Sequence, residues 1–449
     1  MKRETTPLVK QPLPLSSSFS NQNNPIYVQL LYLILLLSLT IFLYSTFSID
    51  HSSSSPFQTP TSIAHNSQQI DLLVSDANNG SQSSSPSPSP SKEVSKHEAK
   101  PKCDLFKGDW VPNPNGPTYN NTCRFTEFFL NCQKNGRPDN GYQFWRWKPK
   151  ECELSGFDSD KFLNLMRNKG FAFIGDSILR NQMKSLLCLL SQVEEATLIS
   201  EDENKKASKW FFPSYNFTLQ GFWTPYLIKA EINDDSNGVA KTDVKLHLDK
   251  LDNTWTTKYG DFDYVMIGSG PWFTRTNIYH ENNRVIGCHN CPAGQNLTEL
   301  GLAYSYHKAL NLALEFITSS SHRPQAVFFR TVTPSHFESG KWDEGGRCDR
   351  KVPVFEKRDQ ISLSESDRIL YQVEKQEFDK AISRVGVTAD KRVTLRLFDS
   401  TFLSSLRPDG HPAKYAYPLA KDKYDCLHWC LPGPIDTWNE IMFKMLTNI

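Results

Sequence analysis

Between Lys10 and Asp50 the chain carries no charged side chain, and within that interval Ile26–Phe47 forms an apolar run of about 22 residues, enough to cross a bilayer once as a helix. Upstream stand Lys2, Arg3 and Lys10 against Glu4 alone; downstream no Lys or Arg appears before Lys92. The asymmetry predicts a cytosolic tail (1–25), a single signal anchor (26–48) and everything beyond it on the far side, a type II membrane topology. A cleaved signal peptide is the alternative reading. It fits less well, because the run and the preceding tail are long and no small-x-small site follows promptly. Residues 49–100 are dominated by Ser, Pro, Asn and Gln and end in S-P-S-P-S-P (Ser85–Pro90), so they bury too little apolar surface to offset ordering and read as an extended stem.

All 10 cysteines lie beyond the stem, at Cys103, Cys123, Cys132, Cys152, Cys188, Cys288, Cys291, Cys348, Cys426 and Cys430. An even number on the non-cytosolic side predicts disulfides. Zinc is the rival for Cys288-His289-Asn290-Cys291, but no second C-x-x-C pair completes a site, and no bound metal or cofactor is expected. Sequons at Asn120, Asn216 and Asn296, with Asn79 in the stem, predict N-glycosylation. Lys and Arg total 50 against 49 Asp and Glu, so no basic excess points to nucleic acid.

Two regions follow the stem. Residues 101–155 are rich in Trp, Phe, Gly, Pro and Cys with little periodicity, and read as a disulfide-held cap. Residues 156–449 alternate between strand and helix signals. Phe171–Ile174 is a short apolar run between Gly170 and Gly175, and Ile178 to about Val193 repeats apolar residues at helical spacing. Tyr264–Ile267, Ala326–Phe329 and Val393–Phe398 read as further buried strands, and Leu300–Ile317 as a second helix. The alternation predicts an α/β fold with a parallel sheet covered by helices on both faces, with chemistry in the loops at the carboxyl ends of the strands.

One of those loops reads G-D-S, Gly175 to Ser177. A serine there can serve as a helix cap or as a nucleophile, and on propensity alone the cap is favoured. The second role needs a base and an orienting carboxylate. Asp425 and His428, within D-C-L-H-W-C-L-P-G-P, are three residues apart, so one turn can aim both at one point. Asp409-Gly410-His411, and His336 beside Ser335, are competing acid and imidazole sources.

F-I-G-D-S-I-L-R-N-Q (Phe173–Gln182) together with the C-terminal D-x-x-H resembles the plant trichome birefringence-like family. C-D-L-F-K-G-D-W-V (Cys103–Val111), R-W-K-P-K-E-C (Arg146–Cys152) and R-P-D-G-H-P-A-K-Y (Arg407–Tyr415) extend the resemblance from Cys103 to the C-terminus. The resemblance implies a three-layer SGNH/GDSL-esterase-like fold and a Golgi polysaccharide O-acetyltransferase. In it Ser177 is the nucleophile, His428 the general base and acid, Asp425 the orienter, and D-G-H-P a motif outside the triad. It also implies the pairs Cys103–Cys152, Cys123–Cys188, Cys132–Cys430 and Cys348–Cys426, which leaves Cys288 to Cys291. The Ser177 amide and a glycine amide from Gly268–Gly270, with Gly270 the choice, are the expected oxyanion donors. G-P-W-F (Gly270–Phe273) departs from the family's usual G-H-W there, and Pro271 has no amide to donate.

An acetyl donor, acetyl-CoA or another carrier, is required as co-substrate. Several loop stretches, among them Trp210–Leu219 and Pro334–Gly346, resemble the xyloglucan-acetylating branch, whose acceptor is the galactosyl side chain. Trp210, Trp223 and Trp272 are candidate platforms for sugar faces. The alternatives are another wall polysaccharide (xylan, mannan or pectin), an acetyl esterase, and a polysaccharide-binding protein without catalysis. Tail, span, stem and large lumenal domain together match the layout of Golgi-resident glycan-modifying enzymes.

Overall fold

The structure is a computed structural model, and it describes residues 103–232, 243–319, 324–341, 344–356, 360–387, 394–419 and 423–448. The tail, membrane span, stem and Asn79 sequon expected from the sequence lie outside the described residues. Among the described residues, no helix is long and apolar enough to cross a membrane.

The strands, in chain order, are β1 (Gly108–Pro112), β2 (Trp145–Pro149), β3 (Gly170–Gly175), β4 (Thr197–Glu201), β5 (Ser208–Phe212), β6 (Phe217–Trp223), β7 (Ile228–Glu231), β8 (Val244–Leu251), β9 (Tyr264–Gly268), β10 (Asn277–Glu281), β11 (Arg284–His289), β12 (Ala326–Arg330) and β13 (Thr394–Phe398). The helices are α1 (Ser159–Leu165), α2 (Ser177–Leu190), α3 (Asn253–Thr256), α4 (Gly301–Ser319), α5 (Glu365–Val387), α6 (Thr401–Ser405) and α7 (Asp436–Leu446). The main sheet runs β13-β12-β9-β3-β6-β5-β4.

β3 shows why this sheet is central. Successive side chains of a strand point to opposite faces, and all of β3 is buried. Phe171 and Phe173 join one core with α2, α7 and the cap, while Ala172 and Ile174 join the other with α4, α5 and the second sheet. Layers thus cover both faces, as the near-continuous apolar runs require.

The expected parallel sheet is corrected to a mixed one. β13, β12, β9, β3 and β6 run parallel, but β5 and β4 add antiparallel edges. The cause is local: Pro213–Tyr215 makes a tight turn that Asn216 closes in a left-handed conformation, so β5 and β6 form a hairpin and need no helical crossover. A second, four-stranded sheet, β11-β10-β8-β7, was not anticipated.

The cap holds to the rest through side chains and sulfur. Trp110 donates its indole N–H to the Leu403 carbonyl (2.9 Å), and the Arg407 guanidinium lies 4.4 Å from its ring centre. Tyr119 and Ser185 both donate to the Asp436 carboxylate, at 2.7 and 2.5 Å, linking cap, α2 and α7. The cysteines pair as Cys103–Cys152, Cys123–Cys188, Cys132–Cys430, Cys288–Cys291 and Cys348–Cys426, the partners that the resemblance implies.

At the end of β3, Gly175 has φ +154°, and a Cβ there would fall 1.9 Å from the Gly268 carbonyl oxygen. Gly175→Ala should therefore cost about 3 kcal/mol or more, through backbone strain and steric overlap. Urea unfolding of wild type and variant measures it; a loss under about 1 kcal/mol would mean that the turn tolerates a side chain.

Candidate active site

The loop that leaves β3 turns at once into α2, and the residue that caps the helix is Asp176. Its Oδ1 accepts from the amides of Ile178 (3.0 Å) and Leu179 (3.3 Å). Ser177 is the first helical residue and is released from capping. Its Oγ lies 2.8 Å from His428 Nε2 and is partly exposed. His428 Nδ1 is 2.8 Å from Asp425 Oδ2. A proton on Nδ1 is donated to that carboxylate, leaving Nε2 as acceptor for the serine hydroxyl.

Asp425 is set by its own loop, for its Oδ1 accepts from the amides of His428 (2.9 Å) and Leu427 (3.1 Å). Burial pushes its carboxyl up, but the neighbouring His428 ring and these hydrogen bonds outweigh burial and hold it at about 2. The loop is in turn fixed from several sides. Asn181, one turn after Ser177 on α2, accepts from the Trp429 amide (2.8 Å) and donates to the Trp429 carbonyl (3.3 Å). Asp425 pairs through its backbone with Ala413. Disulfides anchor Cys426 to Cys348 and Cys430 to Cys132 of the cap. The cap also supplies Phe129, whose ring meets that of His428 edge-on at 5.3 Å.

A buried charged cluster lies below the turn. Arg330, at the end of β12, is 3.5 Å from Asp176, both side chains 1% exposed. Glu374 of α5 accepts from the Val332 amide (2.8 Å) and meets the Tyr306 hydroxyl at 2.7 Å, and that hydroxyl is 3.0 Å from the Ser269 carbonyl. One hydroxyl cannot donate to both. Burial pushes the Glu374 carboxyl up to about 8, against the pull of Tyr306, the Val332 amide and Arg330. As the neutral acid, Glu374 donates to Tyr306, Tyr306 donates to Ser269, and Arg330 is left to balance Asp176. The cluster joins the serine turn to the Ser269–Gly270 loop.

Residues 154–445 match the family described as the GDSL/SGNH-like acyl-esterase family found in Pmr5 and Cas1p, and residues 101–153 match the PMR5 N-terminal domain. Protein trichome birefringence-like 25 of Arabidopsis thaliana is 44% identical, over 96% of this chain and 94% of its own length. The chain is a trichome birefringence-like protein of the GDSL/SGNH-like acyl-esterase family. Protein trichome birefringence-like 26 of the same plant is 49% identical, over 77% of this chain and 78% of its own. Xyloglucan O-acetyltransferase 1 of Arabidopsis thaliana is 40% identical, over 77% of this chain and 81% of its own.

In this trichome birefringence-like protein the other residues singled out from sequence fall as follows. Gly270 lies just past β9, whose last residue, Gly268, is registered with Gly175, so the glycine loop and the serine turn end side by side. Trp223, the last residue of β6, and Trp272 meet edge-to-face at 5.3 Å at that same carboxyl end of the strands. Trp210 instead packs edge-on to Phe125 of the cap, with its indole N–H on Ser208. Asp409 is engaged by Arg407 at 2.8 Å, and His411 by His336 and the His428 carbonyl, so neither completes a second acid–imidazole pair. Asn120, Asn216 and Asn296 are exposed. Cys288 and Cys291 share a disulfide and present no thiolates for a metal.

Asn181, Phe129, Arg330 and Glu374 escaped the sequence reading. Asn181 was within reach, since it stands four residues after Ser177 and so on the same helix face. The others arrive from distant segments.

Asp425 yields a pH prediction. Its folded-state pKa is depressed, so its stabilising contribution is present above the unfolded value and is lost as pH falls through the folded value, near 2. Between about pH 4 and pH 2, wild type should lose about 2 kcal/mol more than Asp425→Asn, measured by denaturant unfolding. Parallel pH curves would contradict the paired carboxylate.

Proposed function

We propose that this protein is a Golgi-membrane O-acetyltransferase that acetylates a plant wall polysaccharide, with the galactosyl side chains of xyloglucan as acceptor. The observation that carries the chemistry is the relay Ser177 Oγ, His428 Nε2 and Nδ1, Asp425 Oδ2, with both links at 2.8 Å. Ser177 Oγ attacks the acetyl carbonyl as its proton passes to His428 Nε2. The bond from the carbonyl carbon to the donor's leaving group then breaks, and the leaving group takes that proton. A sugar hydroxyl next gives its proton to the same nitrogen and attacks the acetyl-serine. Ser177 leaves with the proton, and the enzyme is restored.

The arrangement supports each step. Asp425, held ionised, stabilises the imidazolium formed in transit. The Ser177 amide, which Asp176 does not engage, and the Gly270 amide are proposed as donors to the oxyanion, assisted by the positive end of α2. Trp223, registered with Gly175 at the end of β3, and Trp272, edge-to-face with it, are the proposed sugar platform; Lys206 lies over one ring at 4.0 Å and Arg275 over the other at 4.1 Å, which leaves the opposite faces for a sugar. The acceptor is inferred from the relatives named as xyloglucan O-acetyltransferases and from the loops that resemble them. The apolar run, its charge asymmetry and the sequons support the membrane topology and glycosylated lumenal domain.

Purified full-length protein with an acetyl donor should place acetyl groups on xyloglucan oligosaccharides in preference to xylan, mannan or pectin fragments. Ser177→Ala should lower the rate by about 10³-fold or more and change stability by less than about 1 kcal/mol, since Asp176 is the cap. Transfer by a folded Ser177→Ala protein near the wild-type rate would refute the triad; preference for another polysaccharide would refute only the acceptor.

A further inference from the structure

Behind the loop that carries His428 lie two histidines that the proposed reaction does not use. His336 Nδ1 and His411 Nε2 are 2.6 Å apart. The outer nitrogens face carbonyl oxygens: His411 Nδ1 is 2.7 Å from that of His428, and His336 Nε2 is 3.0 Å from that of Ser405. A carbonyl oxygen only accepts, so each outer nitrogen must carry a hydrogen to bond it. The short contact between the inner nitrogens needs one hydrogen as well. Three protons are required, but two neutral imidazoles hold only two. In a neutral pair one nitrogen lone pair would face either a carbonyl oxygen or another lone pair.

We propose that His336 and His411 together carry three ring protons, the inner one shared between Nδ1 and Nε2, and that this cationic pair positions His428 through its main-chain carbonyl. The inference rests on the reading of His428 as the catalytic base.

The surroundings decide whether such a charge can be held. His411 is 2% exposed and His336 is half-buried. Burial opposes the proton, pulling His336 down to about 4 and His411 well below its usual range. Against this stand the bonds to the Ser405 and His428 carbonyls. The Asp409 and Glu338 carboxylates favour charge on His336, and Asp425 favours it on His411, whereas Arg350 and Arg137 oppose it. Asp409 is shared with Arg407, which weakens its pull. The face of Trp429 adds to the favourable side, with its ring centre 4.3 Å from that of His411 at a tilt of 32°. Each of the three hydrogen bonds is lost by a different single deprotonation, so the neutral pair always leaves one contact unmade.

The same loop connects the pair to catalysis. His336 also donates its backbone amide to the Cys426 carbonyl (2.9 Å), so it touches the segment just before His428 as well as, through His411, His428 itself. His411 and His336 do not reach Ser177; they act through the backbone that sets the His428 ring.

Full-length protein with 15N in its histidine rings, studied by solid-state NMR at about pH 6 beside His336→Gln, counts the protons. The Gln amide can donate to His411 Nε2, which leaves His411 neutral. With the two inner nitrogens that share a proton counted together as one protonated and one bare, replacing His336 should then remove two protonated-nitrogen signals and no bare-nitrogen signal. Loss of one signal of each kind would show a neutral pair and overturn the proposal; His411→Gln gives the same count if the first variant does not fold. For positioning, His336→Ala should lower kcat roughly 10- to 100-fold with little change in KM, and His336→Gln should restore much of it. A folded His336→Ala protein with wild-type kcat would overturn the positioning role. If wild type itself transfers no acetyl group, the reading of His428 fails, while the nitrogen count still decides the state of the pair.

Discussion

The segment from Asp425 to Cys430 carries an acid and an imidazole but belongs to no helix or strand, so its position must be imposed by what it touches. Asn181 makes the decisive contact, because it grips both backbone groups of Trp429 from the helix that also presents Ser177. Ser177 and His428, the proposed nucleophile and base, are thereby referred to a single rigid body, α2, at a spacing of one turn. The disulfides to Cys132 and Cys348 remove the remaining freedom from both flanks of the loop. A displacement of about 1 Å at a catalytic base costs orders of magnitude in rate, which gives such over-determination a function beyond stability.

The division of labour between Asp176 and Ser177 follows the same logic. A helix start needs a side chain to satisfy its first amides, and Asp176 does this from the preceding position. Burying that carboxylate is costly unless its charge is matched. Arg330 supplies the match, and Glu374, neutral through burial, completes the cluster without adding a second negative charge. The serine turn, the glycine loop after β9 and the end of β12 are therefore one electrostatic unit beneath the reacting atoms.

Much of this was written locally in the sequence. β3, β9, β12, β13, α2 and α4 follow from short apolar runs and helical spacing, and their observed ends lie within about three residues of those expected. Helix α5 did not, because Glu374 and Glu377 occupy its buried face and break the apolar periodicity. The strand V-K-L-H-L-D-K-L of β8 alternates clearly, but its parallel pairing with β10 is non-local and leaves no trace in either segment. At the site, Ser177, Asp425 and His428 were legible as a motif pair. The clamp Asn181 and the contact from Phe129 of the cap region depend on distances that only the fold creates, whereas Asp176 caps amides two and three residues on and is a local feature that the choice between Ser177's two roles passed over.

The site thus combines a serine freed from capping, the proposed nucleophile, an imidazole, the proposed base, whose far nitrogen meets an ionised carboxylate, and aromatic side chains at the same carboxyl end of the strands. The family is one of acyl-esterases, and whether the acetyl group passes to a sugar or to water depends on what occupies the space above Ser177 after the first step. The proposed reaction turns on the formation of an acetyl-serine. Full-length protein mixed with an acetyl donor and no acceptor, quenched in acid and digested, tests it by mass spectrometry. A gain of about 42 Da is expected on the peptide containing Ser177, abolished by Ser177→Ala and discharged by added xyloglucan oligosaccharide. Transfer to the oligosaccharide with no acetylated Ser177 peptide at any time point would contradict it.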